Sequence, residues 1–74
     1  MMKARPITTL HVELRRRGLR IADLAQALGR SSKNLYPLAN RRRQATAPEV
    51  RSVSGYLGLL PEELFDAEGF ARLA

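Results

Sequence analysis

The chain of 74 residues has no cysteine, no tryptophan, one histidine, and only two Tyr and two Phe. Without cysteine there are no disulfides, no thiolate zinc site and no thiol chemistry. A single histidine, His11, gives no basis for a histidine metal cluster. No apolar run approaches the roughly 18 residues of a membrane span. The start, MMKARPITTL, carries basic residues but neither a long apolar stretch nor a signal-cleavage pattern, so a soluble cytoplasmic protein with no membrane partner is expected. There is no evident pair of catalytic carboxylates and no phosphate-cradling glycine loop. The expectation is therefore a protein that is not an enzyme and uses no cofactor and no metal. So few aromatic residues also argue against the base-stacking platforms of RNA binders.

What is abundant is arginine. Thirteen Lys and Arg stand against seven Asp and Glu, a net charge of +6. Residues 1–43 hold eleven bases and two acids (+9); residues 44–74 hold two bases and five acids (−3). This asymmetry points to one face for a polyanion and another for something else. Arginine outnumbers lysine eleven to two, and its planar fork fits phosphate and guanine. A coding bias towards Arg accounts for part of that ratio, but not for the asymmetry along the chain.

At 45% hydrophobic residues, the chain can bury a small core as one domain. Residues 1–6 read as an arm that Pro6 separates from regular structure. Ile7, Leu10 and Leu14 share one face of a first helix over 7–17, ended by Gly18. Ile21, Leu24, Ala25 and Leu28 make the apolar stripe of a second, ended by Gly29. Ser31 or Ser32 caps a third, which carries Leu35 and Leu38 and has Pro37 inside it, a cause of a kink or an early end. An Arg-rich loop, 40–47, leads to a fourth helix from Pro48, with Val50, Val53 and Leu57 buried and Gly58 after it. A fifth opens at Pro61, and the tail 66–74 adds a final turn. No segment alternates with period two. The fold class is all-α: a compact bundle of about five short helices around a central helix-turn-helix.

The stretch Ile21–Leu38, IADLAQALGRSSKNLYPL, carries the functional signal. Ala25 lets two helices cross closely, Gly29 permits a sharp turn, and Leu24, Leu28, Leu35 and Leu38 form a shared core. The second helix of the pair then stands proud, as entry into a DNA major groove requires. Together with Leu14–Leu19, Asp23–Gly29, Ser31, Leu35, Leu57–Leu59 and Pro61–Phe65, this segment resembles the helix-turn-helix domain of the Cro and phage-repressor (xenobiotic-response-element) family. It is also similar to the small phage Ner-type regulators. The resemblance covers residues 7–65 and implies a lambda-repressor-like DNA-binding domain, leaving 66–74 as a tail for dimer contact. The sequence departs from the family at Ile21, where a phosphate-contacting Gln is frequent. It departs also at Ala39–Asn40–Arg41, where Glu and then Asn-Gly are frequent, and at Pro37.

The resemblance implies base contacts from Ser32, Lys33, Tyr36 and Pro37. It implies backbone contacts from Asn34, Asn40, Arg41, Arg42 and Arg43, with Arg20 and Arg30 flanking helix starts. Arg15–Arg17 read equally as a solvated face or a DNA contact. Glu62, Glu63, Asp66 and Glu68 are expected to face away from DNA. Tyr56, Leu60, Phe65, Phe70 and Leu73 suggest a homodimer interface, or closure of the monomer core. The expected function is sequence-specific binding of double-stranded DNA, at a palindromic operator, by a homodimeric regulator that represses transcription. The alternatives are an antitoxin with a toxin partner, or a protein-interaction module that kept the fold.

Overall fold

The computed structural model describes residues 7–74, so the arm expected over 1–6 lies outside the described residues. Five helices follow one another: α1 Thr9–Arg16, α2 Ile21–Ala27, α3 Ser32–Ala39, α4 Ala47–Leu57 and α5 Pro61–Leu64. Each begins where a side chain or a proline suits a free helix start. Thr8 caps α1, its hydroxyl accepting the His11 amide at 3.3 Å. The Asp23 carboxylate accepts the Arg20 amide at 2.9 Å before α2. The Ser31 hydroxyl accepts the Lys33 amide at 3.2 Å, which makes Ser31 the cap of α3. Thr46 and Glu49 form a reciprocal capping box that starts α4 one residue before the expected Pro48.

The Thr8 cap corrects the reading of the first helix. Thr8 is extended, so Ile7 falls outside the helix and is 64% exposed instead of joining Leu10 and Leu14 in the core. Thr8 itself is buried, and its hydroxyl donates to the Ala39 carbonyl at 2.9 Å, tying the start of α1 to the end of α3.

Four helices close with the same pair of backbone bonds, in which two amides past the end return to carbonyls of the last turn. The residue between them must take a left-handed conformation. At α1 it is Gly18 (φ 68°) and at α2 it is Gly29 (φ 68°), with the Arg30 amide reaching the Ala25 carbonyl at 2.8 Å. At α4 it is Gly58 (φ 69°). At α3 it is Arg41, at φ 60°, with the Arg42 amide reaching the Pro37 carbonyl at 2.8 Å. Pro37 therefore does not end α3 early. The carbonyl it cannot serve belongs to Lys33, an exposed residue.

The core is Leu10, Leu14, Ile21, Leu24, Ala25, Leu35, Leu38, Ala39, Val53, Leu57, Leu64 and Phe65, with Leu28 and Val50 partly buried against it. The tail does not add a helical turn. It turns at Asp66, whose carboxylate accepts the amides of Glu68 and Phe70 at 3.0 Å each. It then runs back extended, with antiparallel bridges Phe65–Ala71 and Thr8–Leu73. The Thr9 amide donates to the Arg72 carbonyl at 2.8 Å and the Ala74 amide to the Ile7 carbonyl at 2.9 Å. Its partners lie both at the end of α5 and near the start of the chain, the latter out of reach of a local reading. Among the described residues these bridges are the only β pairing.

Candidate nucleic-acid interface

α3 buries Leu35, Leu38 and Ala39 and turns its other side outward. Lys33, Tyr36, Pro37 and Asn40 recur at i, i+3, i+4 and i+7, one stripe of a helix surface. Lys33 and Tyr36 are exposed, Pro37 and Asn40 half-buried. Ser32 is half-buried at the start of the helix, and Asn34 is exposed beside the stripe. The stripe runs directly into a depression of about 610 Å³ whose walls include Tyr36 of α3, Asn40 just past its end, Ile7, and Arg15, Arg16 and Arg20 from the α1–α2 corner.

Those three arginines point into solvent. The Arg20 side chain is 82% exposed and meets only the Asp23 carboxylate, at 3.4 Å. Arg16 is 71% exposed and 3.3 Å from Glu13. Arg15 is exposed, with no partner among the described residues. Both nearby carboxyls remain ionised below their ordinary range: Glu13 through the hydrogen bond from Arg17, Asp23 through the backbone amide and side chain of Arg20.

The loop after α3 is arranged differently from the expectation that its three arginines all face a DNA backbone. The Arg43 guanidinium donates to both Glu49 oxygens at 2.8 Å and to the Asn34 carbonyl at 2.7 Å. Arg30 donates to the same carboxylate at 2.9 Å. Arg41 donates to Asp66 at 3.3 Å and to the Ala71 carbonyl at 3.0 Å, and lies 5.7 Å from the centre of the Phe70 ring. Of the triplet, Arg42 alone has no partner among the described residues. Asp66, expected on the far side, comes instead to the end of α3.

Glu49, in the first turn of α4, is the acceptor that gathers Arg30 and Arg43. It is 3% exposed. The hydrogen bonds from Arg43 lower its pKa to about 2 against the opposing effect of burial, helped by the Thr46 amide and by the charges of Arg43 and Arg30. The signal was present as Thr46-x-x-Glu49, a capping box. The two arginines it holds, distant in sequence, left no local trace.

The residues expected at a dimer interface divide. Tyr56, Leu60 and Leu73 are exposed apolar side chains. Phe65 is 3% exposed and closes the core of the single chain, and Phe70 is half-buried, with Arg41 over its ring. A second depression, about 520 Å³ between α4, α5 and the tail, is lined by Arg51 and Arg72 but also by Glu62 and Asp66, and so favours neither sign of charge. Among the described residues no helix is long and apolar enough to cross a membrane, and no cluster of three or more His, Asp or Glu could hold a metal ion. No protein-family model, curated protein or solved structure matches the chain.

Proposed function

We propose that the chain binds double-stranded DNA through α3 as a small transcriptional regulator. The observation that carries this reading is the continuity of the Lys33–Tyr36–Pro37–Asn40 stripe with the Arg15, Arg16 and Arg20 corner. A stripe with donors and a thymine-compatible ring can meet base edges, while flanking guanidinium groups meet phosphates. The eight residues of α3 extend for about 12 Å, the width of the major groove. Lys33 suits guanine O6 and N7, and Asn40 and Arg42 suit the backbone at the other end of the helix.

The exposed Tyr56, Leu60 and Leu73 support assembly as a homodimer, which would read two half-sites about 34 Å apart. Selection from a randomised duplex library, followed by salt titration of the enriched site, tests the proposal. The expected result is an enriched inverted repeat bound on the order of 10³-fold above random DNA. Salt-dependent binding without enrichment would leave phosphate attraction alone and remove the regulator reading. Sedimentation equilibrium showing a monomer at tens of micromolar, with and without the selected site, would remove the dimer.

A further inference from the structure

We propose that Glu49 is the residue that gives this DNA-binding face its selectivity, by holding Arg30 and Arg43 at the two flanks of α3 and keeping both off the phosphates. The role rests on the DNA-binding reading. Arg30 lies just before the Ser31 cap and Arg43 lies past the last turn, so side chains rooted on either side of the helix meet at one carboxylate. Its acceptor capacity is filled. Oε1 takes the Thr46 amide and Arg43 Nη1, both at 2.8 Å; Oε2 takes Arg30 Nη1 at 2.9 Å and Arg43 Nη2 at 2.8 Å. A carboxylate offers about four such positions.

Two consequences follow from one charge. Arg43 also holds the Asn34 carbonyl in the first turn of α3, so the carboxylate fixes how the helix presents its stripe. And both arginines are only about one third exposed, Arg43 giving four hydrogen bonds within the chain and Arg30 one. Phosphate contacts raise affinity for every sequence alike. Released arginines would therefore strengthen binding while blurring it.

The test compares Glu49→Gln and Arg43→Gln with the unmutated chain, on the selected duplex and on random duplex, across salt concentrations. Glutamine still serves the Thr46 capping box, and circular dichroism checks the fold. For Glu49→Gln the expected result is tighter binding to random duplex, by about tenfold at low salt. Its salt slope should steepen by up to about 1.8, two phosphates at roughly 0.9 each. Preference for the selected site should fall about tenfold. Arg43→Gln should lose preference with its salt slope unchanged. An unaltered slope and preference in a folded Glu49→Gln protein would overturn the proposal. So would an Arg43→Gln slope shallower by about 0.9, because Arg43 would then already be on a phosphate. An unmutated chain with no salt-dependent DNA affinity would overturn the DNA reading itself, a failure visible before either variant is made.

Discussion

The chain contains two arginine triplets, Arg15–Arg17 and Arg41–Arg43, alike on paper and different in the fold. The first ends α1. There Arg17 turns inward, to Glu13 at 2.6 Å and to the Leu57 carbonyl at 2.9 Å, and leaves Arg15 and Arg16 outside. The second follows α3. There Arg41 and Arg43 turn inward to Asp66 and Glu49, and only Arg42 is left outside. Successive residues cannot share a direction: a helix rotates each by about 100°, and the left-handed residue Arg41 redirects the loop. What separates the triplets is the carboxylate each can reach. Glu13 is a neighbour on the same helix and only partly buried, whereas Glu49 comes from α4 and is buried. Three like charges in a row are therefore not three charges on one surface.

The largest effect should come from removing the buried carboxylate. Glu49→Ala leaves two arginines without their shared partner and removes half of a capping box. Breaking a buried pair costs about 3–5 kcal/mol. The arginines are one-third exposed, so we expect about 2–3 kcal/mol by chemical denaturation, from a total on the order of 4–11 kcal/mol for a chain this size. Acid should do the same gradually. The Glu49 carboxyl lies at about 2 in the folded chain and near 4.5 unfolded. Its contribution is therefore present above pH 4.5 and is lost as pH falls from 4.5 towards 2. Stability measured at pH 7, 4 and 3 should fall more steeply in the unmutated protein than in Glu49→Gln. Parallel slopes would show that the second triplet does not depend on this charge.

The next effect sharpens the contrast from the other side. Reversing Arg15, Arg16 and Arg20 to Glu should leave the melting temperature within a few degrees, because none of the three holds another element in place. Affinity for the selected duplex should drop on the order of 10²-fold at low salt. Calorimetry and a binding titration of the same sample decide it. A large melting shift with unchanged affinity would exchange the roles of the two triplets.

How much of this could be seen in the sequence depends on how far apart the partners lie. The all-α class, the positions of the helices and their glycine ends follow from local rules, so Gly18, Gly29 and Gly58 can be read directly, as can a cap at Ser31 or Ser32, which the structure resolves to Ser31. Helical spacing admits Ile7, but the Thr8 cap excludes it, and the buried bond from Thr8 to Ala39 that accompanies the cap has no local trace. The tail was misplaced because its partners are Leu64, Thr8 and Ile7, so an extended return has no periodic trace. The outward residues Lys33, Tyr36 and Pro37 of α3 come from the family resemblance, and the exposure of Lys33 and Tyr36 agrees with it. The confinement of Arg30, Arg41 and Arg43 was not legible, since charge counting cannot see a carboxylate 6 to 25 residues away.

A smaller effect isolates the backbone at the end of α3. Where the other three helix ends use glycine, Arg41 takes φ 60°, a conformation that costs a residue with a Cβ about 1 kcal/mol or more. Its side chain offsets this through Asp66, the Ala71 carbonyl and the Phe70 ring. Arg41→Ala keeps the backbone cost and loses the contacts; Arg41→Gly loses the contacts but removes the cost. Glycine should therefore be the more stable of the two variants by about 1 kcal/mol, the reverse of the order inside a helix. Equal stability in urea denaturation would mean that the left-handed backbone at Arg41 carries no strain.

The smallest effect belongs to Arg42, and it decides whether the second triplet has any part in binding. The Arg42 side chain makes no hydrogen bond or ion pair among the described residues, so Arg42→Ala should change stability by less than about 0.5 kcal/mol. If this exposed arginine meets a single phosphate, the substitution should weaken selected and random duplex by the same factor. It should also reduce the salt slope by about 0.9, leaving preference untouched. A loss confined to the selected site would place Arg42 on a base. An unchanged slope would leave the α1–α2 corner as the positively charged anchor. Either result bears on the triplets as a pair, because Arg42 stands to the second as Arg15 stands to the first: the one member whose charge the fold does not spend on itself.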